Sequence, residues 1–444
     1  MKTPICDFVK NYIDKKAIRL HVPGHKGKGY FGIEKYDLTE IDGADDLYTP
    51  SGIILESENN ASKLFCHPTF YSTEGSSHGI RAMVYLTKLH ALNNNKKPII
   101  LSFKNVHKSF LTAVALLDVE VLWFENNNLY LSNDIDFEFL DNYLFTLKEK
   151  PCAFYITSPS YLGQIVDVKK LSNICHKYNI LLIVDNAHGS YLKFLESDCH
   201  PISLGADMCV DSAHKTLPVL TGGAYIHLSN AIDKNLIKEV KTALCLFGST
   251  SPSYLILQSL DNANKIISVS YAKKLNCFVK KLSNLKSSLQ NYGYKLFGNE
   301  PLKLTIMPKC IGYTGLEFVK LLKENNIYVE FYDSDYVVMM FSLNFSLKKL
   351  SDLKKVLLSI KKKQAITITP PTLTNCERVL DIKTALFKQS EIVDVDDSEN
   401  RIYAEINTHC PPAVPIILIG EKITQQTIEV LKYYNISKIK VIKE

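Results

Sequence analysis

Ile183-Val-Asp-Asn-Ala-His-Gly189, followed by Gly205-Ala-Asp-Met-Cys-Val-Asp-Ser-Ala-His-Lys-Thr-Leu217, decides the fold. Asp185 closes an apolar run that reads as a strand. A second run, Met208–Asp211, is followed at once by Ser212, His214 and Lys215. Further strand-like runs stand at Ile99–Ser102, Val119–Phe124, Ala153–Thr157 and Ala224–His227, and helical stretches lie between them at Gly79–Leu92, Ser109–Leu117 and Val168–Tyr178. Strands that alternate with helices need crossover connections, so the pattern predicts an α/β fold with a mostly parallel, doubly wound sheet. In such sheets the ligand sits beyond the carboxyl ends of the strands, where Asp185 and Lys215 both fall.

Composition fits a folded chain. Of 444 residues, 46% are apolar and 22% charged, with no apolar run long enough to span a bilayer and no secretory leader in Met1–Lys16. The net charge of +6 is local, because Ser346–Gln364 carries seven lysines against one aspartate. Leucines recur there at helical spacing, which predicts an amphipathic helix with a solvated lysine face rather than a nucleic-acid or membrane surface. Eleven scattered cysteines form no C-x-x-C pair, which points to free thiols in a reducing cytoplasm and to no metal. The division expected is an N-terminal segment over residues 1–60, the sheet domain over 61–250, a long helix and small α+β domain over 251–365, and a C-terminal domain over 366–444.

The two strand ends also point to chemistry. A lysine in a desolvated crevice is a nucleophile toward carbonyls. Pyridoxal 5'-phosphate needs both a lysine for its aldehyde and a carboxylate that keeps its ring nitrogen protonated, so that the ring accepts electrons from the substrate's Cα. A phosphate cradle is available in Ser72-Thr-Glu-Gly-Ser-Ser-His-Gly79, where small residues open a helix and its free N–H groups favour an anion. His107, in Asn105-Val-His-Lys-Ser109, follows the next strand and is placed to lie flat on such a ring.

These residues carry a resemblance. The sequence resembles the ornithine/lysine/arginine decarboxylases of pyridoxal-phosphate fold type I, through His21-Val-Pro-Gly-His-Lys26, Asp37-Leu-Thr-Glu40 with Asp45-Asp-Leu47, Gly75-Ser-Ser-His-Gly-Ile80 and Asn105-Val-His-Lys-Ser109. Thr157-Ser-Pro-Ser-Tyr-Leu-Gly163, Val184-Asp-Asn-Ala-His-Gly189, Ser212-Ala-His-Lys-Thr-Leu-Pro218, Ser249-Thr-Ser-Pro-Ser-Tyr254 and a degraded tail motif, Cys410-Pro-Pro-Ala-Val-Pro415, extend it in the same order.

The resemblance implies a seven-stranded sheet, pyridoxal 5'-phosphate as cofactor, no metal, and a homodimer with its active site at the subunit interface. It implies that Lys215 carries the cofactor aldehyde, Asp185 pairs with the ring nitrogen and His107 stacks on the ring. His188 lies near the cofactor hydroxyl or the reacting carbon. Ser76, Ser77, Ser212 and His214 hold the phosphate, and Thr250 or Ser251 reaches a partner's phosphate. The chain departs from the family's usual Glu at Asn186, Arg at Lys104 and Gln at Gly222. Asn186 is expected to face away from Asp185.

The reaction follows from the grip on the substrate. Aminotransferases of this fold clamp the α-carboxylate with an arginine of the small domain, yet this chain has only Arg19, Arg81, Arg378 and Arg401, and none from Tyr225 to Cys376. The expected reaction is therefore decarboxylation of a basic amino acid, read at its far end by Glu40, Asp45, Asp46 or Glu405. The rival readings are another pyridoxal-phosphate enzyme, such as an aminotransferase or carbon–sulfur lyase, and a non-catalytic regulator on the same fold.

Overall fold

A computed structural model describes residues 1–124, 135–372, 375–406 and 414–443. Seven strands form one sheet: β1 (Thr69–Ser72), β2 (Ile99–Ser102), β3 (Glu120–Trp123), β4 (Ala153–Thr157), β5 (Leu181–Asp185), β6 (Met208–Asp211) and β7 (Ala224–Leu228), in the order β1-β7-β6-β5-β4-β2-β3. β5 and β6 run parallel, with Ile183 opposite Met208 and Asp185 opposite Val210, while β7 runs antiparallel between β6 and β1. β6 and β7 are buried at every position, as expected for apolar runs covered on both faces. The chain divides into two compact units.

The first unit comprises residues 1–100, 147–155 and 168–275. Its helix Gly75–Asn93 lies so close to the sheet that a Cβ on Gly79 would come within 2.7 Å of Val210 and 2.9 Å of Ile226. The helix Pro4–Asp14 receives its N-terminal cap from a distant residue: the amides of Ile5 and Cys6 both donate to Asp261 Oδ2 at 3.0 Å. Ser57 Oγ donates to the other oxygen of that fully buried carboxylate at 2.6 Å.

The second unit comprises residues 101–146, 156–167 and 276–444. It holds a four-stranded antiparallel sheet of β8 (Lys295–Phe297), β9 (Lys303–Met307), β10 (Phe331–Tyr332) and β11 (Val337–Met340), in the order β10-β11-β9-β8. The lysine-rich helix spans Leu347–Ser359 and buries Leu350, Leu353 and Leu357. Near the C-terminus β12 (Ser390–Asp394) pairs antiparallel with β13 (Lys438–Ile442), in which buried Ile439 and Val441 alternate with exposed Lys438 and Lys440. Those two side chains join Tyr403, Ile423, Ile428 and Leu431 in one apolar cluster. The tail motif positions Cys410–Ala413 lie outside the described residues.

Asp261 links the first helix to the core through charge-assisted bonds, so its loss leaves two helix N–H groups and Ser57 without their acceptor. Asp261→Ala is expected to lower unfolding stability by about 2–4 kcal/mol, measured by urea denaturation.

Candidate active site

In the first unit, the ends of β5 and β6 place the chemistry. Asp185 is 2% exposed and accepts hydrogen bonds from Tyr155 Oη at 3.2 Å and from the Ala187 amide at 3.1 Å. Burial pushes its carboxyl above the ordinary range, and the nearby Lys215 ammonium acts in the opposite direction. Lys215 sits in the single helical turn Ala213–Thr216 that follows β6, and its Nζ lies 3.1 Å from His188 Nε2. His188 comes from the loop after β5 and is buried. Lys215 and Asp185 therefore come to one edge of the sheet, and His188 joins Lys215 there.

The cradle forms on the same side. Ser212 Oγ donates to Ser76 Oγ at 2.7 Å, both side chains being buried where the helix Gly75–Asn93 begins. Gly75 has a φ of +75°, and a Cβ there would meet nothing within 4 Å, so space is open above the helix N-terminus. Ser77 is half-buried in the same turn. His214 packs its Nδ1 against the Gly223 carbonyl at 3.1 Å, and burial lowers its pKa, so the neutral ring donates there. Thr250 and Ser251 are exposed in the loop before the helix Tyr254–Ile266. An amine, a buried carboxylate and a hydroxyl-lined helix N-terminus are the donor set that pyridoxal 5'-phosphate requires.

In the second unit, His107 is exposed and caps the helix Lys108–Leu117, its Nδ1 accepting from the Ser109 amide at 3.3 Å. Lys104 serves the fold, since together with Arg378 it neutralises the buried Glu421, at 2.9 and 3.1 Å.

The acidic residues near the N-terminus separate by environment. Asp45 accepts backbone N–H groups from Asp46, Ser51, Gly52 and Ile54. Burial works against its charge, yet these donors hold the carboxyl below its ordinary range. Asp46 accepts from the amides of Tyr48 and Thr49, and Glu405, in the second unit, accepts from the Lys440 amide. Glu40 is exposed, with its pKa raised by partial burial and by Asp46.

Sequence reasoning missed Tyr155, His200, Asp211 and His227, all of them buried. Asn186 is buried too and, as expected of it, faces away from Asp185, toward Asp211 and His200. The available signal was a polar side chain inside an apolar strand, such as His227 in Ala224-Tyr-Ile-His-Leu228.

Comparison with known proteins fixes the class. Residues 3–297 match the major domain of the Orn/Lys/Arg decarboxylases, and residues 380–440 match their C-terminal domain. The chain belongs to the Orn/Lys/Arg decarboxylase family, and it is a decarboxylase of basic amino acids. It is 30% identical to the protein YaaO of Bacillus subtilis, over 97% of this chain and 94% of that one. It is 28% identical to an arginine decarboxylase of the same organism, over 96% and 92%. Its fold matches the constitutive lysine decarboxylase of E. coli, with a TM-score of 0.78 at 17% identity, over 100% of this chain and 82% of that one. Serine palmitoyltransferase of Sphingomonas wittichii shares the fold more distantly, with a TM-score of 0.57 at 14% identity, over 81% of this chain and 83% of that one. Among the described residues no helix is long and apolar enough to cross a membrane, and the ten cysteines are free thiols.

Burial works against the charge of Asp185 and pushes its carboxyl above the ordinary range, with Lys215 opposing the shift. A carboxyl whose folded pKa is raised costs nothing below the unfolded pKa and destabilises the fold as pH climbs through the folded value. Asp185→Asn is therefore expected to raise the unfolding temperature of the cofactor-free protein at neutral pH and to leave it unchanged below about pH 4, measured by thermal unfolding.

Proposed function

We propose that the chain decarboxylates L-arginine with pyridoxal 5'-phosphate, which Lys215, Asp185, His188, Ser76, Ser77, Ser212 and His214 would hold. The approach of Lys215 to His188, beside a buried Asp185, is the observation that carries this reading. The named arginine decarboxylases among the sequence relatives support arginine ahead of lysine and ornithine.

When bound, the cofactor supplies a ring that takes up the electrons left on the substrate's Cα as CO2 departs. Lys215 would carry the cofactor aldehyde. Its Nζ lies within hydrogen-bond reach of His188 Nε2, so a proton can pass between the two side chains. Asp185 would pair with the ring nitrogen, and Tyr155 donates to Asp185 and holds its orientation. Ser76 and Ser212 offer hydroxyls, and the helix Gly75–Asn93 offers its first free N–H groups, to the phosphate. The absence of arginine between Tyr225 and Cys376 removes the usual bidentate clamp on the substrate carboxylate, which leaves that group free to depart.

Glu40 reads the guanidinium in this proposal, because Asp45, Asp46 and Glu405 already accept backbone donors. The working unit is a homodimer in the cytoplasm. The segment around residues 18–36 exposes Ile18 (85%), Leu20 (89%), Tyr30 (102%) and Phe31 (84%), an apolar surface suited to a second copy. Thr250 and Ser251 reach the partner's phosphate.

The test is CO2 and amine release from arginine, lysine and ornithine by the purified protein loaded with cofactor. Agmatine from arginine is expected, and no amine from any of the three rejects the reading. Lys215→Ala is expected to lower kcat by about a thousandfold or more. Glu40→Gln is expected to raise KM for arginine about tenfold with kcat less affected. Tyr30→Asp with Phe31→Asp is expected to shift the protein from dimer to monomer in sedimentation analysis.

A further inference from the structure

The ends of β5 and β6 are joined by a buried side-chain bond that the chemistry above does not use. The last backbone rung between these strands runs from the Asn186 amide to the Val210 carbonyl, at 2.9 Å. Beyond it the chain turns into the loops that carry His188 and Lys215. One step further, Asn186 Nδ2 donates to Asp211 Oδ1 at 2.6 Å. Asp185 and Val210 are opposite one another in the register, so alternation puts their side chains on one face of the sheet and those of Asn186 and Asp211 on the other.

Asp211 is fully buried and gathers two more donors. His200 Nδ1 accepts the Ile202 amide at 3.3 Å, so its Nε2 carries the proton and donates to Asp211 Oδ2 at 3.0 Å. His227 of β7 places Nε2 3.2 Å from the same oxygen, with Nδ1 against the Thr69 hydroxyl at 2.9 Å. Burial works against the charge, yet the two imidazoles hold the Asp211 carboxyl well below its ordinary range. Burial lowers the pKa of His227, which keeps that ring neutral. Donor atoms of His200, Cys209, Asp211 and His227 all lie within 4.8 Å of one another. Asn186 Nδ2 stands beside this group, 2.6 Å from Asp211 Oδ1 and 3.1 Å from His200 Nε2.

We infer that the Asn186–Asp211 bridge is a positioning device, which fixes the separation of Asp185 and Lys215 from the opposite face of the sheet and thereby sets how tightly the chain holds pyridoxal 5'-phosphate. The inference rests on the assignment of Asp185 and Lys215 to that cofactor. Asp211 is tied at once to β5 through Asn186, to β7 through His227 and to the turn Pro201–Leu204 through His200, so its position is determined from three sides. Asn186 follows Asp185 directly, and Asp211 precedes the Ser212–Lys215 turn directly. A change in the bridge is therefore delivered to both functional groups with almost no intervening chain. The charged and titratable groups facing the bridge are His200, His227 and the Cys209 thiol, and those facing Asp185 are Tyr155, Lys215 and, more weakly, Asp211.

The test exchanges the two partners. Asn186→Asp sets two carboxylates against each other, which hold together only when they share a proton. Cofactor Kd, read by absorbance titration of the cofactor-free protein, is expected to rise about tenfold at about pH 8 and to stay within about twofold of wild type at about pH 6. The exchanged pair, Asn186→Asp with Asp211→Asn, restores a carboxylate–amide bond and is expected to bring Kd back to within about threefold at both pH values. If Asn186→Asp fails to fold, Asn186→Ser breaks the bridge without adding charge and is expected to raise Kd about threefold at either pH. Single variants that melt at a lower temperature but keep the wild-type Kd overturn the inference, as does a loss in Asn186→Asp that is the same at both pH values. Stoichiometric zinc in the purified wild type also overturns it. A wild-type protein that binds no cofactor overturns the underlying assignment, and the inference with it.

Discussion

Parallel pairing of β5 with β6 is the constraint on which the rest depends. Two strands that run the same way, in register from Ile183 and Met208 to Asp185 and Val210, end at the same edge of the sheet. Whatever follows each strand is delivered to the same crevice. An antiparallel pair would have put the aspartate and the lysine at opposite edges. The pairing is stable because both strands are almost wholly apolar and buried, so a slip of one residue would turn Asp185 and Asp211 onto the wrong faces.

This edge concentrates unfavourable electrostatics. Asp185 stands in a place that resists ionisation, and a second carboxylate, Asp211, is buried just behind it. Each is tolerated for a different reason. Asp211 is surrounded by three N–H donors and is a satisfied internal ion. Asp185 has a phenol, one amide and the field of a lysine, which leaves it short of complete satisfaction. That difference separates a fully satisfied structural anion from a carboxyl with acceptor capacity to spare.

The chemistry at strand ends was legible because it is local in sequence. An apolar run that ends in Asp185, and another followed within four residues by Lys215, announce themselves without tertiary information. The alternation of strands and helices gave the sheet for the same reason. What lay behind the site was not legible, because its members come from four separate segments. Nothing in the spacing of Asn186, His200, Asp211 and His227 says that they converge. The small sheet was read less completely: β8, three residues long with an exposed lysine at its start, has too short a pattern to stand out. β10, with only Phe331 and Tyr332, is shorter still. Of the four acidic residues open at the start, geometry alone showed that Asp45 is consumed as a helix cap.

The cap on the first helix has a consequence for how the chain is made. The amide of Ile5 finds its acceptor 256 positions later, at Asp261. A ribosome has therefore to synthesise more than half of the polypeptide before that helix can dock. During that interval the apolar side of Pro4–Asp14, with Ile5 and Val9, has no core to enter. The nascent amino terminus is thus a natural client for a chaperone, and closure of the first unit has to wait for its last segment, residues 168–275.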